Sequence, residues 1–317
     1  MSSKHEVELI SIEDKNALMR KYSERLLYEE RADIYGCCIK LLTDTKYVKE
    51  RWEESFYPMS AYVRSHGRMI VVEEKNQKQR VLYDPLSKTA FLINVDYYGW
   101  VKSLALSIAS NILEDSQGIN SVHGACVDMA GQGICLIAPS GTGKTTHTYG
   151  LLRLKGVRVI SDDWFFVRFM ADQDVAFSSE KNFYIQADIA EIWDEYRKLV
   201  ENAEFDAKGR AVVNIRWVAG KGKIFPLTTL KTAILLKRDA NDTVVRKLTP
   251  DEAVEYMKTV GFCNPHLLVK DPRKTDLHEK FFQEFFSRIE TYLINTTLPP
   301  IEIHVAIREV LKPEQKL

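Results

Sequence analysis

The sequence predicts an α/β fold built around a strand, a glycine turn and a helix, and three observations carry that expectation. Ile134-Cys135-Leu136-Ile137 is an apolar run long enough for one buried strand. Ala138-Pro139-Ser140-Gly141-Thr142-Gly143 follows it, and a Pro with two Gly cannot continue a strand and takes tight-turn geometry. Lys144-Thr145-Thr146 then opens a helix predicted to reach about Leu152, after which Val157-Arg158-Val159-Ile160 reads as a second strand running into Ser161-Asp162-Asp163.

Strand, glycine loop and helix with Lys-Thr at its start form the setting a phosphate-binding loop needs. The loop N–H groups wrap the phosphates, and the free N–H groups and dipole of the helix start add attraction for negative charge. In that reading Pro139, Ser140, Gly141, Thr142, Gly143, Lys144, Thr145 and Thr146 form the nucleotide site. Lys144 reaches the β- and γ-phosphates and the Thr145 hydroxyl ligates Mg²⁺. The strict pattern opens on Gly, where this chain has Ala138; the remainder is complete. Ligand chemistry in a parallel sheet sits at the carboxyl ends of the strands, which places Asp162 and Asp163 beside the loop. Neighbouring side chains of an extended chain point opposite ways, so one Asp can hold Mg²⁺ while the other faces an incoming hydroxyl.

The remaining elements follow in order. Residues 12–31 read as an amphipathic helix, with Leu18, Tyr22, Leu26 and Leu27 near helical spacing, ended by Gly36. Cys37 to Leu42 read as a strand and Tyr47 to Phe56 as a short helix. Met69-Ile70-Val71-Val72, Arg80-Val81-Leu82-Tyr83 and Ala90-Phe91-Leu92-Ile93 read as strands of an antiparallel meander, and His66 as a turn residue. Residues 96–115 predict a buried helix, closed by Gln117-Gly118. Val122 to Val127 predict a strand, with a hairpin turn at Ala130-Gly131-Gln132-Gly133. As antiparallel partner of the loop strand it sets His123 near the phosphates.

Trp164 to Val167 and Asn182 to Ile185 predict strands, and Asp188 to Val200 one helix. Residues 204–222 are polar and basic, with Lys208, Arg210, Arg216 and Lys221, continuing into Lys223; they read either as a lid that closes over substrate or as a solvated loop plus strand. Leu230 to Leu236 predict a buried strand. Thr249-Pro250-Asp251-Glu252 caps a helix. Phe281 to Leu293 predict another helix, and Ile301 to Val305 a final strand. The organisation predicted is an N-terminal α+β region over residues 1–117 and a catalytic domain over 118–317.

Composition narrows the function classes. Of 317 residues, 45% are hydrophobic and 28% charged, an ordinary globular mix. Forty-four basic residues balance 44 acidic ones, which argues against binding to nucleic acid or to an anionic membrane surface. Met1-Ser2-Ser3-Lys4-His5-Glu6 predicts no secretory leader, and the apolar run 101–113 is too short for a membrane span and contains Lys102. Five cysteines without a C-x-x-C predict neither a disulfide framework nor a zinc site, so a reducing, cytoplasmic setting is expected.

Taken together, His123-Gly124-Ala125-Cys126-Val127, the run Ala138 to Thr146, and Ser161-Asp162-Asp163 resemble the catalytic core of HPr kinase/phosphorylase. They are similar also to the related loop of phosphoenolpyruvate carboxykinase. The match covers about residues 118–169, with a weaker likeness over the rest of the C-terminal half. The resemblance implies a mixed sheet flanked by helices and an ATP- and Mg²⁺-dependent phosphotransferase acting on a hydroxyl. The acceptor would be a protein seryl side chain or a small metabolite, free serine among them. It implies that Ser140 to Lys144 bind phosphates, that Thr145 and one Asp hold Mg²⁺ while the other Asp is the general base, with Asp162 preferred for the metal and Asp163 for the base but the reverse open, and that His123 sits by the transferred phosphoryl group. By analogy with HPr kinase rings it implies a homo-oligomer. The chain departs from the family at Thr146, where HPr kinases usually carry an acidic residue, and in lacking a recognisable distal signature segment. Two alternatives stand beside this reading: a non-catalytic nucleotide-binding switch whose N-terminal half docks a partner, and decarboxylation chemistry of the carboxykinase kind.

Overall fold

The computed structural model describes residues 6–206, 209–264 and 267–312. The chain is mixed α/β and divides into two compact units. The first comprises Met1–Asn120 with Ser179–Lys181 and His266–Lys274; the second comprises Ser121–Ser178, Asn182–Pro265 and Thr275–Leu317.

The first unit runs β1 (Val7–Leu9), α1 (Ile12–Tyr22), β2 (Tyr28–Ile34), β3 (Cys37–Thr43), α2 (Lys46–Ser55), β4 (Tyr57–Pro58), β5 (Gly67–Val72), β6 (Arg80–Asp84), β7 (Thr89–Ile93) and α3 (Tyr98–Gln117). Its strands form one sheet in the order β1-β6-β7-β5-β3-β2-β4. Two expectations fail here. The helix over residues 12–31 stops at Tyr22, and Tyr28–Ile34 is a strand in full register with β3, from Tyr28↔Thr43 to Ile34↔Cys37. Tyr35 and Gly36, both at positive φ, make the hairpin turn, the backbone that matches strand twist. Pairing along the whole of β3 outweighs the helical spacing of the leucines. The meander also fails, because β7 inserts beside β5 in parallel and β6 lies outside it.

Helix α1 begins at a capping box between Ser11 and Asp14, and Tyr22 packs with Ile70, Val72, Leu82, Phe91 and Ile93 of the sheet. Helix α3 is buried along most of its length and ends on Gly118 in the left-handed conformation. Its Lys102 is buried too, and Lys102 Nζ lies 2.8 Å from Glu180 Oε1, which is also buried. Two desolvated charges are tolerable only as such a pair.

The second unit runs β8 (Asn120–Val122), β9 (Gly124–Met129), β10 (Gln132–Ile137), α4 (Lys144–Leu152), β11 (Val157–Ser161), β12 (Phe165–Phe169), β13 (Asp174–Ser178), β14 (Phe183–Gln186), α5 (Ile189–Ile192), α6 (Arg197–Glu201), β15 (Arg210–Val213), α7 (Arg216–Ala219), β16 (Leu227–Lys237), β17 (Val245–Leu248), α8 (Pro250–Thr259), α9 (Pro272–Arg288), β18 (Glu290–Asn295) and α10 (Pro300–Val310). The main sheet has the order β11-β9-β10-β16-β13-β12-β8, and β18 pairs with both β16 and β17. Strands β10, β16 and β18 are mutually parallel, while β9 is antiparallel to both β10 and β11. Alternation along β10 feeds both faces. Ile134 and Leu136 enter a core with Tyr149 and Leu151 of α4 and Ile303 and Ile307 of α10. Cys135 and Ile137 enter a second core with Met257 of α8 and Phe281, Phe282, Phe285 and Phe286 of α9.

Four further expectations are corrected. The strand over 122–127 breaks at His123, between β8 and β9. The helix over 188–200 breaks at Trp193, whose backbone is extended and whose indole N–H donates to the Thr146 carbonyl at 2.8 Å. The helix over 281–293 ends at Arg288, and Glu290–Asn295 pairs in parallel with β16. The final strand over 301–305 is the helix α10. Pro300 sits in its first turn and Ile303 and Ile307, four apart, are buried, so the I-E-I-H-V alternation is coincidental. Among the described residues no helix is long and apolar enough to cross a membrane.

Candidate active site

The carboxyl ends of β10 and β11 meet at one place, because both run antiparallel to β9 between them. The turn from Pro139 to Gly143 leaves β10 and enters α4 at Lys144. Gly141 and Gly143 both take positive φ, 83° and 95°. Gly143 is doubly constrained, since a Cβ there would lie 3.2–3.3 Å from the His147 ring as well as on strained backbone. The Thr142 hydroxyl donates to the Pro139 carbonyl at 2.8 Å. Thr296, just after β18, donates its hydroxyl to the Thr142 carbonyl at 2.8 Å and so pins the loop to the sheet. Ser140 and Gly141 are exposed, and Pro139, Thr145 and Thr146 are half-buried.

Asp163 is the centre of the arrangement. Its Oδ1 accepts from Lys144 Nζ at 2.8 Å and lies 3.1 Å from His123 Nε2. Asp162, its neighbour, points elsewhere: it is buried, and its Oδ2 accepts the Tyr184 N–H of β14 at 3.1 Å. The two carboxylates lie in a bend just after β11, outside the extended chain the sequence predicts, and meet different partners. The structure therefore brings together His123, Lys144 and Asp163, and sets Asp162 into the body of the unit. Among the described residues no group of three or more His, Cys, Asp or Glu is placed to hold a metal ion. The Thr145 hydroxyl is a hard oxygen donor of the type Mg²⁺ takes, and Mg²⁺ draws its other ligands from phosphate and water; Asp162, the carboxylate expected beside it, is buried and turned to the Tyr184 N–H.

His123 is held from two further sides. Its ring stacks on Trp164, centroids 5.3 Å apart at 26°. Its Nδ1 donates to the carbonyl of Cys263. That carbonyl belongs to a turn, Gly261–Cys263, in which three successive residues are left-handed: φ is 58°, 53° and 53°. For Phe262 and Cys263 each such residue costs about 1–2 kcal/mol. Burial pushes the Cys263 thiol up to about 12, against the attraction of Lys144, so its contribution here is the backbone carbonyl. Neither this turn nor Thr296 is signalled as a site in the sequence. Each acts through the main chain or a lone hydroxyl far along the chain, and only Gly261 marks a turn.

Beneath the loop lies a buried pair, His147 of α4 and His304 of α10, each held down to about 4. Burial is the main cause for both. His304 and Arg238 add to it for His147, as do Arg308 and Arg153 for His304. The Nδ1 atoms of both are buried without a hydrogen-bond partner. The unfolded chain takes up two protons, with pKa about 6.5, that the folded chain refuses until about pH 4. Stability is therefore expected to fall as pH drops from about 6.5 to 4, by about 2.7 kcal/mol per pH unit for the two groups together. Urea midpoints across that range check this, and His304→Gln is expected to halve the slope; an unchanged slope would contradict it.

The basic segment is not a free loop. Arg210–Val213 pairs with Phe183–Gln186, and Ala211 and Val213 are buried. Lys223 donates to the carbonyls of Leu152 and Leu154, at the end of α4 remote from Lys144. Lys208 lies outside the described residues.

No family model matches the chain, and no curated protein matches it. Among solved structures it is similar to the Hpr(Ser) kinase/phosphatase from Coxiella burnetii, at 12% identity and a TM-score of 0.34, over 60% of this chain and 95% of that one. This is a distant likeness of fold and nothing finer.

Proposed function

We propose that the second unit is a phosphotransferase that moves the γ-phosphoryl group of a nucleoside triphosphate, ATP in the simplest case, to a hydroxyl. One observation carries this reading: Lys144 and His123 converge on a single oxygen of Asp163 at the mouth of the glycine loop. Binding alone needs no general base, and a carboxylate so placed supplies one.

Before nucleotide enters, Lys144 and Asp163 neutralise one another. An incoming triphosphate offers Lys144 a stronger anionic partner, and the Asp163 oxygen is released toward the acceptor. The loop N–H groups and the start of α4 bind the phosphates, while Thr142, fixed by Thr296, holds the loop in shape. The acceptor oxygen attacks the γ-phosphorus and its proton passes to Asp163. The bond from the γ-phosphorus to the bridging oxygen breaks, and its electron pair leaves with the nucleoside diphosphate. His123 stays on Asp163 and keeps the carboxylate aimed. Mg²⁺, held by the Thr145 hydroxyl with phosphate and water oxygens, would neutralise charge on the β- and γ-phosphates. The acceptor class proposed is a seryl side chain or a small hydroxylated metabolite such as free serine.

Binding is the first requirement. With ATP and Mg²⁺ at about 100 times Kd, the unit is expected to gain about 2.7 kcal/mol of stability, which at that size raises Tm by several degrees. Adenosine at the same concentration is expected to do nothing comparable, because the contacts are to phosphate. Equal shifts with adenosine and ATP, or none with either, would overturn the reading.

A further inference from the structure

We infer that the left-handed turn Gly261–Cys263 is a positioning device that fixes how His123 faces the site, Nδ1–H toward the Cys263 carbonyl and Nε2 outward; the role given to His123 rests on the phosphotransferase reading, whereas its orientation does not. The Cys263 carbonyl is an acceptor only, so the His123 Nδ1 that meets it bears the hydrogen. Nε2 is then the atom directed at Asp163 Oδ1, 3.1 Å away, and because a carboxylate oxygen also accepts, Nε2 donates there when the ring carries a hydrogen on both nitrogens. Were the hydrogen on Nε2 alone, Nδ1 would face the carbonyl with a lone pair, and the contact to Cys263 would be lost.

A carbonyl can be aimed this way only because the turn adopts a backbone that Phe262 and Cys263 ordinarily avoid. Something must hold it there, and Phe262 is placed to do so. Its ring stacks on Phe282 at 5.5 Å and 8° and meets the edge of His278 at 6.1 Å. Phe282 and His278 both lie on α9, so that helix supplies the clamp. Trp164 covers the imidazole face, and the hydrogen bond to the Cys263 carbonyl acts on rotation within the ring's own plane. Phe262 is thus a positioning residue, acting on Asp163 through the Cys263 carbonyl and His123. Backbone held in a sparsely populated conformation beside a candidate site fits such a use.

The test is ¹⁵N NMR of the whole chain with labelled histidine, His123 assigned by its loss in His123→Gln. In the wild type at pH 7.5, Nδ1 of His123 is expected to bear a proton. Phe262→Ala removes the clamp but keeps the backbone cost, so its turn relaxes and the Nδ1 preference is lost. Phosphoryl transfer is expected to fall about 10- to 100-fold in kcat with KM for ATP within threefold. Phe262→Gly can hold the left-handed backbone without a clamp and is expected to recover part of both. A wild-type His123 protonated on Nε2 alone would overturn the inference, and that readout needs no variant to fold. So would a folded Phe262→Ala with an unchanged His123 spectrum. A wild type with the expected Nδ1 proton and no transferase activity on any acceptor would instead overturn the phosphotransferase reading and leave the positioning device standing.

Discussion

Asp163→Asn is expected to lower the rate of phosphoryl transfer about 10²- to 10⁴-fold, the usual contribution of a positioned general base. The substitution keeps size and shape and removes only the charge and the ability to take a proton. Nucleotide affinity is expected to hold or tighten, because a negative charge 2.8 Å from Lys144 is removed from the neighbourhood of the phosphates. The result is a variant that binds Mg·ATP at least as well as wild type and scarcely turns over. Single-turnover kinetics beside calorimetric titration separate the two quantities. A kcat within threefold of wild type would remove Asp163 from the role of base. Asp162, with an oxygen already committed to the Tyr184 N–H, gives a different pattern on substitution to Asn. Lower stability is expected, because Asp162 is buried and takes part in holding β14.

Lys144→Ala is expected to reduce kcat/KM for ATP by about 10³-fold or more. A charge-assisted contact to phosphate is worth about 1.5–3 kcal/mol in the ground state, and stabilisation of charge developing in the transition state adds to it. The loss falls on both terms, unlike that of Asp163→Asn. Stability should change little. The ion pair to Asp163 is partly open to solvent, with side chains 13% and 28% exposed, and such pairs contribute about 0–1 kcal/mol. A drop in activity with an unchanged Tm thus assigns the defect to the site rather than to folding. Retention of wild-type ATP affinity would contradict the placing of the phosphates at this loop.

The parts of the site that were legible in the sequence share one property: they are local. The strand, the glycine turn and a helix over Lys144–Leu152 follow from apolar run, Pro and Gly in a fixed order, and the helix has the predicted limits. The antiparallel seating of His123-Gly124 beside the loop strand follows from a two-residue hairpin, with Gly124 opposite Ile137. What was not legible depends on contacts distant along the chain. The carbonyl that orients His123 comes from a residue 140 positions later. The hydroxyl that pins the loop comes from Thr296, 154 positions after Thr142. Neither carries a side-chain pattern that points to chemistry. The misassigned elements fail for a related reason. Tyr28–Ile34 becomes a strand because β3 is there to pair with, and residues 301–305 become helical because Pro300 starts a helix whose buried face completes the core around α4. In both, tertiary partners decide between two local readings that the residues alone leave close.

The phosphotransferase reading requires that this chain transfer a phosphoryl group rather than merely hold a nucleotide. It is tested most directly by incubating the full chain with γ-labelled ATP and Mg²⁺ beside Lys144→Ala, with free serine, other hydroxylated metabolites, an HPr-type protein and whole-cell extract as acceptors. The expected result is label in one hydroxyl-bearing acceptor, released as a phosphomonoester with one nucleoside diphosphate formed per transfer, and absent with the variant. ATP bound tightly by the wild type with no labelled product in any acceptor would contradict the account and identify the unit as a nucleotide-responsive switch.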